Sequence, residues 1–587
     1  MSVDTVSRVV DSTRVIPKRR NVTRFTRTLL WFTLPCAVVL VLLNVYPVLF
    51  AAWQSLHNGT LSDLGPFVGL HNYTLILSTP AFWSAALFTL IFTVVGVLGS
   101  WAVGLGLALL LRPHVPASGL WRVLLLLPLV VPPVVSAQIS WNLLLATPQS
   151  PLPILAHALG FGNVLFLADP TLARIVVCVL RVWMGFPFMM IMLSSALSSI
   201  DPSVYEAAKM DGANTWQRFV HITLPMTSRT TYVAWILMTI ICVNDYPSIG
   251  LLTDGGPANA TQTLIVQAYQ SAFMDSGFGP GTATGLIVAI VLVIVSVLLF
   301  RQTRKTSGDW TIDVNGMYSP DRPAAATRRR RRRADEKTES GPWLRLVLIM
   351  VITALVIVPL LPTFACSNPY GGGCGAQDLV GRFQMMFDPS QLTLFGHSLL
   401  LTGVTVLVCI AIGAPAGYAI ARGRSRAISG FAVLTFSVQS IPVVILLYPF
   451  FMLFNQLGMI NNLGALQIVY IGIGLGFAVW MFSTYFKTLP IEIEEAAWVD
   501  GCSAFGAFFK VVLPNAMPAV ISTGMFVFLL AWGDFLVAGA LFTIKGESTL
   551  ALADPGSLLY LIPPLLIFFV FNRYFSLGGV ATTFSGR

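Results

Sequence analysis

Two stretches of the sequence decide how the chain is organised: EAAKMDGANTWQRFVHITLP at residues 206–225 and EAAWVDGCSAFGAFFKVVLP at residues 495–514. Eight of their twenty positions are identical at the same spacing, although the stretches begin 289 residues apart. Both are polar passages in a chain of 587 residues that is 56% hydrophobic and only 10% charged. The repeat therefore predicts a protein made of two related halves.

Apolar runs of about 20 residues, the length that crosses a bilayer as a helix, occur throughout the chain. Six lie near residues 29–53, 85–111, 120–143, 171–198, 230–252 and 281–300, and six more near 344–364, 395–421, 428–454, 466–486, 515–542 and 557–572. They lack the period-two alternation of barrel strands, so helices are expected, with kinks at Pro128, Pro132 and Pro133. The predicted fold class is an all-α polytopic membrane protein with two homologous six-helix halves and about 12 spans.

The distribution of Lys and Arg predicts the orientation of the chain. Seven basic residues precede the first apolar run, and the next one, Arg112, follows the second run. The excess of basic residues in cytoplasmic loops places both termini and both repeated passages in the cytoplasm. The first run is long for a cleaved signal peptide and is expected to remain as a span. The formal net charge of +10 is explained by loops near lipid headgroups rather than by nucleic acid.

Residues 302–342 differ sharply from their surroundings, being rich in Pro, Ala and charge, with six consecutive arginines at 328–333. Such a segment cannot bury a core and is expected to be a flexible cytoplasmic linker. It divides the chain into a first transmembrane domain at 1–301 and a second at 343–587. The arginines suit a solvated tether, which is the simpler interpretation, or a contact with anionic lipid.

The seven cysteines show no metal-ligand spacing. Four of them fall within apolar runs and are expected to be packing residues: Cys36, Cys178, Cys242 and Cys409. Cys366 and Cys374 flank a Gly-rich stretch in a predicted outer loop, where a disulfide would be permitted. Two unpaired thiols are the alternative.

Each repeated passage has the sequence signals of a short helix, a turn and a second helix. In the first copy, Asp201 and Pro202 form a helix start, and Asp211 and Gly212 form a stop. One such loop would be explained as an interfacial amphipathic helix. Two copies between the fourth and fifth spans of their halves indicate the same task performed twice.

The passages resemble the cytoplasmic signature of the membrane-spanning subunits of bacterial ATP-binding-cassette importers, which is EAA followed, after three residues, by Gly. Other stretches resemble the maltose-type carbohydrate branch of that family. FVGLHNYTLIL at 67–77 and LLTDGGPANATQTL at 251–264 are similar to its first permease, and SIPVV at 440–444, LGMINN at 457–462 and AWGDF at 531–535 to its second. The resemblance implies a type I importer fold in a bacterial cell membrane, with two permeases fused in one chain.

The resemblance also implies partners. In that family each EAA loop is a coupling helix that docks on one of two copies of a cytoplasmic ATPase subunit, and an extracytoplasmic sugar-binding protein, often lipid-anchored, delivers a small-molecule sugar. The matching residues are Glu206, Ala207, Ala208, Asp211 and Gly212, with Glu495, Ala496, Ala497, Asp500 and Gly501. The chain has no G-x-x-x-x-G-K-[ST] phosphate loop and no persuasive pairing of a nucleophile with a base. We therefore expect no enzyme activity and no bound cofactor or metal, with ATP and Mg²⁺ used by the partner ATPase.

A 12-helix secondary transporter of the major facilitator type is the alternative function. Such proteins commonly carry an acidic-basic signature after span two, whereas RPHVPASGLWR at 112–122 has no acidic residue. A channel is disfavoured because no filter-like motif repeats.

Substrate contacts are expected where polar residues occur at membrane depth. The candidates are Arg181 and Trp183 in span four, with Asn244, Asp245, Tyr246 and Ser248 in span five. The resemblance places sugar contacts in this part of span five. Because WGDF in the second half lacks the amide, an asymmetric site in the first half is predicted.

The roles of the charged residues Arg181 and Asp534 each have two possible interpretations. Arg181 is expected either to pair with Asp245 or to bond backbone carbonyls. For Asp534, which lies 289 residues after Asp245, a structural role is favoured over ligand binding.

Overall fold

The computed structural model describes residues 19–59, 65–111, 116–275, 277–308, 342–362, 387–439, 441–534, 536–541 and 559–576. Within these ranges the protein is helical, and the one β-type contact is an isolated bridge between His57 and Phe67. The all-α prediction is confirmed. Cys366, Cys374 and residues 309–341, which include the arginine run, lie outside the described residues.

The first half contains long helices in five of its apolar runs, and short helices in the third run, near residues 120–143, and in the connecting segments. The long ones are Arg19–Leu40 and Tyr46–Gln54, joined by the π-helix Val41–Val45, then Pro80–Leu110, Pro170–Ser198, Leu224–Val243 and Phe278–Gly308. The short ones are His71–Ser78, Ser118–Leu125, Leu127–Val130, Asn142–Leu145, Pro151–Ala158, Pro202–Met210, Thr215–Arg218, Pro247–Gly250 and Leu264–Tyr269, with π-helices Val134–Trp141, Phe219–Thr223 and Gln270–Met274.

The second half repeats this order. Its helices are Pro342–Ile357, which continues as the 3-10 turn Val358–Leu360, then Pro389–Arg422, Arg426–Gln439, Val443–Gln456, Leu463–Phe486, Glu492–Val499, Ala504–Ala507, Leu513–Asn515, Met517–Trp532, Leu536–Leu541 and Ile562–Ser576. A π-helix, Phe508–Val512, again precedes span five.

Six of the described helices are long and apolar enough to cross a membrane: Phe25–Gln54, Pro80–Leu110, Pro170–Ser198, Phe278–Val295, Pro389–Arg422 and Leu463–Phe486. Three bent pairs meet the same criterion: Thr215–Ser228 with Thr230–Val243, Arg426–Gln439 with Val443–Gln456, and Ala504–Asn515 with Met517–Trp532. Three shorter apolar helices are Val134–Leu145, Arg345–Leu360 and Leu559–Phe571. By length and composition these helices coincide, in order, with the predicted apolar runs.

The structure corrects two predicted boundaries. Span five of the first half was expected to run to residue 252, but its helix ends at Val243, because a polar segment and Pro247 interrupt it. The last helix of the first half extends to Gly308, so residues 302–308 of the predicted linker are helical. Gln, Arg and Lys in that stretch favour helix formation. The predicted kink is confirmed, since a break at Val131 separates Leu127–Val130 from Val134–Trp141.

Spans two, four and five of each half meet at a glycine. An added Cβ at Gly185 would lie 2.5 Å from Ser100 Oγ and 2.0 Å from the Met238 methyl. Gly474 occupies the equivalent position in the second half, beside Cys409 and Val527. Small residues at such points let transmembrane helices approach closely. The matching contacts show that the two halves share one internal packing arrangement.

The first span of each half packs against the other half. Asn44 donates from Nδ2 to the Gly472 carbonyl oxygen at 3.2 Å, and Trp183 donates from Nε1 to the Val356 carbonyl oxygen at 3.0 Å. Trp183 and Gly472 are equivalent span-four positions, while Asn44 and Val356 each stand three residues before the proline of a first span. The halves therefore exchange their first spans through equivalent contacts.

Candidate functional site

The first EAA helix, Pro202–Met210, begins and ends as the sequence predicts. Asp201 accepts a hydrogen bond from the Ser203 amide at 2.9 Å, and Pro202 occupies the first turn. The second EAA helix, Glu492–Val499, has no side-chain cap and carries three acidic residues in its first turn instead. Acidic groups there complement the positive end of the helix dipole.

Both EAA helices end in the same left-handed glycine turn. Gly212 has a φ of +82° and Gly501 a φ of +85°. The next amides bond back into the helix, from Ala213 to the Ala208 carbonyl and from Cys502 to the Ala497 carbonyl, each at 2.9 Å. This is the Schellman arrangement, which uses glycine for its freedom from Cβ strain. The turn directs the chain into the helix that leads to span five.

The EAA helices present matching exposed faces. Glu206 and Glu495 are both exposed, as are Ala207 and Ala496. Met210 and Val499, which are also 289 residues apart, are 87% and 86% exposed. No other large apolar side chain described in the structure is as exposed as these two. On each helix, the glutamate, the small alanines and the exposed apolar side chain at the end, Met210 or Val499, together form a compact surface suited to docking.

The six predicted substrate residues lie in and around the break in span five of the first half. Arg181 Nη1 lies 2.7 Å from Asp245 Oδ2, with both side chains buried. Ser248 donates to the same carboxylate from its hydroxyl at 2.6 Å and from its amide at 3.1 Å. The predicted pairing of Arg181 with Asp245 is therefore observed, and among the described residues Arg181 has no hydrogen bond to a backbone carbonyl.

The second half repeats the break with neutral partners. Tyr470, the counterpart of Arg181, donates its hydroxyl to Asp534 Oδ2 at 2.9 Å. Asp534 also accepts from the Val537 and Ala538 amides, at 3.1 and 3.3 Å. Each aspartate thus accepts amide hydrogen bonds from the first turn of the short helix after the break, as a capping side chain does, and this structural role is common to both halves.

The remaining candidates differ in how fully they are engaged. Tyr246 is buried and packs against Tyr269 with ring centroids 4.5 Å apart. Trp183 makes the contact between halves described above. Asn244 ends the span-five helix, and its buried Oδ1 has no hydrogen-bond partner among the described residues. Of the six, Asn244 retains the clearest unused acceptor.

Sequence reasoning missed a group of polar residues in span three of the first half. Buried atoms without a described partner are found there on Ser136, Gln138, Trp141 and Asn142. The π-helix Val134–Trp141 packs against Pro247–Gly250, the short helix after the span-five break. The signal in the sequence was the stretch QISWN within an apolar run. In the second half, the span-three amide of Gln439 instead donates to the Gly476 carbonyl at 2.9 Å.

Two halves built from helices of membrane-spanning length, related by an internal repeat, define a multi-pass membrane protein with a duplicated transmembrane domain. The family model described as "Binding-protein-dependent transport system inner membrane component" matches residues 19–308 and again residues 410–572. The chain belongs to this family, which argues against the major facilitator alternative.

Individual relatives resemble the chain over about half of its length. It is 31% identical over 269 residues to the sulfoquinovosyl glycerol transport system permease protein SmoG of Agrobacterium fabrum, covering 45% of this chain and 87% of the relative. It is 32% identical over 272 residues to the trehalose/maltose transport system permease protein MalF of Thermococcus litoralis, covering 46% of this chain and 92% of the relative. Among solved structures, a bacterial ABC transporter that imports the polysaccharide alginate covers 49% of this chain and 99% of its own, with 20% identity and a TM-score of 0.43. SmoG and MalF align over most of their own length with only about half of this chain, as expected for a fusion.

Proposed function

We propose that this chain forms the whole membrane pathway of an ATP-driven importer for a sugar or oligosaccharide. Two copies of an ATPase subunit bind its two EAA helices on the cytoplasmic side, where both termini also lie. An extracytoplasmic binding protein delivers the sugar to the opposite side. This chain forms the transmembrane pathway, the ATPase subunits supply the energy, and the binding protein captures the substrate.

The observation that carries this proposal is the matched pair of exposed EAA faces. Glu206 with Met210, and Glu495 with Val499, repeat one surface at equivalent places in a chain that has no phosphate-binding loop of its own. A protein that must receive energy from two identical subunits needs two equivalent docking sites. The exposed side chains of Met210 and Val499 supply apolar contact area, and the glutamates supply charge that fixes the position of each helix on its ATPase subunit.

Charge reversal tests the docking. We expect Glu206→Lys or Glu495→Lys to abolish uptake and to reduce co-purification of the ATPase, because a lysine would face basic partner groups. Glu492→Lys is the matched control, since Glu492 is exposed on the same helix but its first-half counterpart is Ser203. Normal uptake and normal ATPase binding by the Glu206→Lys/Glu495→Lys double variant would contradict the proposal.

Sugar binding is proposed for the first half. Asn244 and the span-three residues Gln138 and Asn142 have amide oxygens without a partner among the described residues, and Trp141 has an indole N–H in the same condition. A sugar presents hydroxyl donors and an apolar ring face, so amides and aromatic rings are suitable partners. The named substrates of SmoG and MalF, a sulfoquinovosyl glycerol and the disaccharides trehalose and maltose, make a glycosidic solute the first class to test.

The site is tested by uptake of labelled maltose, trehalose and sulfoquinovosyl glycerol. Asn244→Ala and Gln138→Ala should each raise the transport KM, because a sugar hydroxyl that loses its partner costs about 1–3 kcal/mol. Gln439→Ala, which changes span three of the second half, is the control. If Asn244→Ala and Gln138→Ala transport normally while Gln439→Ala alters substrate choice, the sugar binds in the other half.

A further inference from the structure

The residue that immediately precedes the second EAA motif is a buried acid. Glu494 is 1% exposed, although Glu492 and Glu495 on the same short helix are exposed. A carboxylate is expensive to bury unless charged or hydrogen-bonded partners compensate it. Its partners therefore show what this helix is attached to.

Both oxygens of Glu494 are bonded to the end of span two. Arg422 approaches Oε1 from Nε at 2.8 Å and from Nη2 at 2.6 Å, while Tyr418 donates its hydroxyl to Oε2 at 2.7 Å. Arg422 Nη2 also donates to the Leu489 carbonyl at 2.9 Å, in the loop between span four and the EAA helix. One guanidinium thus joins span two, the loop after span four and the EAA helix.

The rings around this cluster keep span two in place. The ring of Tyr418 lies 5.8 Å from that of Phe486, 5.0 Å from Phe508 and 6.2 Å from Phe32, measured between centroids. Phe486 ends span four, Phe508 begins the π-helix before span five, and Phe32 belongs to the first span of the other half. Tyr418 is fully buried, so the EAA helix cannot tilt away from span two without opening this packing.

The first half has a different contact at this position. The counterpart of Glu494 is Tyr205, whose hydroxyl lies 3.1 Å from Thr223 Oγ1. Gly104 and Gly413 make the same close approach to span four, which sets the register of span two in the two halves. In that register Leu109 stands where Tyr418 does, so span two of the first half lacks this hydroxyl.

We infer that Arg422 and Tyr418, acting through Glu494, are positioning residues that fix the second EAA helix to span two and so hold the second ATPase site in its docking orientation. The inference rests on the proposed function. It makes the attachments of the two EAA helices unequal, because the Arg422–Glu494 ion pair holds the second helix, whereas the first helix has Tyr205 in place of Glu494. A movement of the second EAA helix on its ATPase subunit would thereby move span two as well.

The test uses the full chain in nanodiscs, titrated with the purified ATPase subunits of the same transport system. Glu494→Gln and Arg422→Gln should weaken binding at the second site on the order of tenfold and leave the first unchanged. Alkylation of Cys502, a partly exposed thiol in the adjoining turn, should accelerate in both variants. Tyr205→Phe, the matched change in the first half, should leave Cys502 labelling unchanged.

A double variant separates positioning from mere stabilisation. Arg422→Met/Glu494→Met fills the space without directional bonds, and hydrophobic replacement of buried ion pairs is often neutral or stabilising. We expect it to recover thermal stability but not the second binding step. Recovery of both, or unchanged second-site binding in the single variants, would overturn the inference. If the wild-type chain binds no ATPase, the proposed function fails, whereas Cys502 labelling of the chain alone still reports whether the ion pair fixes the helix.

Discussion

Replacing Gly501 by Ala should loosen the second EAA loop through backbone strain alone. The φ of +85° is a left-handed conformation that costs an L-residue about 1–2 kcal/mol. A Cβ added there would meet no atom within 4 Å, so no steric clash contributes. Reduced freedom of the unfolded chain offsets about 0.4–1 kcal/mol of this cost. The net effect on the turn is about 1 kcal/mol, roughly a fivefold increase in its opening.

Hydrogen exchange at the Cys502 amide measures this opening, because that amide bonds to the Ala497 carbonyl across the turn. We expect exchange to accelerate roughly fivefold in Gly501→Ala and less in Gly501→Asn, since asparagine tolerates the left-handed region. Gly212→Ala should do the same at the Ala213 amide. Sugar uptake should fall with the loss of loop order.

Gly506→Ala is the control for this prediction. Gly506 lies within the helix Ala504–Ala507, and its added Cβ would make only ordinary contacts, the nearest at 3.4 Å from Ser503 Oγ. Alanine is preferred over glycine in a helix, so exchange at Cys502 should stay the same or slow. Equal exchange in Gly501→Ala and the wild type would refute the assignment of the left-handed turn as the element that orders the loop.

Three further predictions follow from particular contacts. Asn44→Leu removes the hydrogen bond to Gly472 that joins the halves, and it should lower the stability of the purified chain by about 1 kcal/mol, measured by thermal unfolding in detergent; unchanged stability would contradict this role for the exchanged span. Arg181→Met leaves Asp245 buried with Ser248 as its only described side-chain partner, so uptake should fall far more than in Tyr470→Phe, which removes one neutral bond; equal effects in labelled-sugar uptake would refute the difference between the halves. In a chain whose seven native cysteines are replaced by serine, a cysteine introduced at residue 320 should resist membrane-impermeant maleimide in intact cells, because the linker is proposed to be cytoplasmic; labelling from outside would reverse the orientation.

The architecture could be predicted from the sequence at positions where the requirements of the backbone alone determine which residue types are accepted. Hydropathy located the spans because a helix in lipid must be apolar over its whole length. Asp201, Pro202 and Gly212 marked the first EAA helix because caps and left-handed turns accept few residue types. The end of span five was misplaced because Asn244 and Asp245 sit between apolar residues, and hydropathy does not record that a carboxylate is capping a new helix.

The side-chain contacts were predictable only in part. Arg181 and Asp245 were paired in advance because an unpaired arginine at membrane depth is costly. Glu494 gave no such signal, because it lies in a polar run with two other glutamates and its burial depends on the end of span two, more than 70 residues earlier. The polar residues of span three were overlooked because they are neutral. The burial of Glu494 and the environment of the span-three residues both depend on tertiary packing, which the periodicity and spacing of the sequence do not reveal.

The two halves have the same residues at positions where the backbone conformation requires a particular residue type. They have different residues at positions where side chains bind one another. Glycines at the EAA turn and at the junction of spans two, four and five are kept in both copies, as are the aspartates that cap the helix after the span-five break. Among the described residues there is one buried ion pair in each half, but at different places: Arg181 with Asp245 at the break in the first, and Arg422 with Glu494 at the EAA helix in the second. A duplicated fold keeps its geometry while each copy specialises, so breaking the first pair should impair substrate handling, and breaking the second should impair ATPase docking.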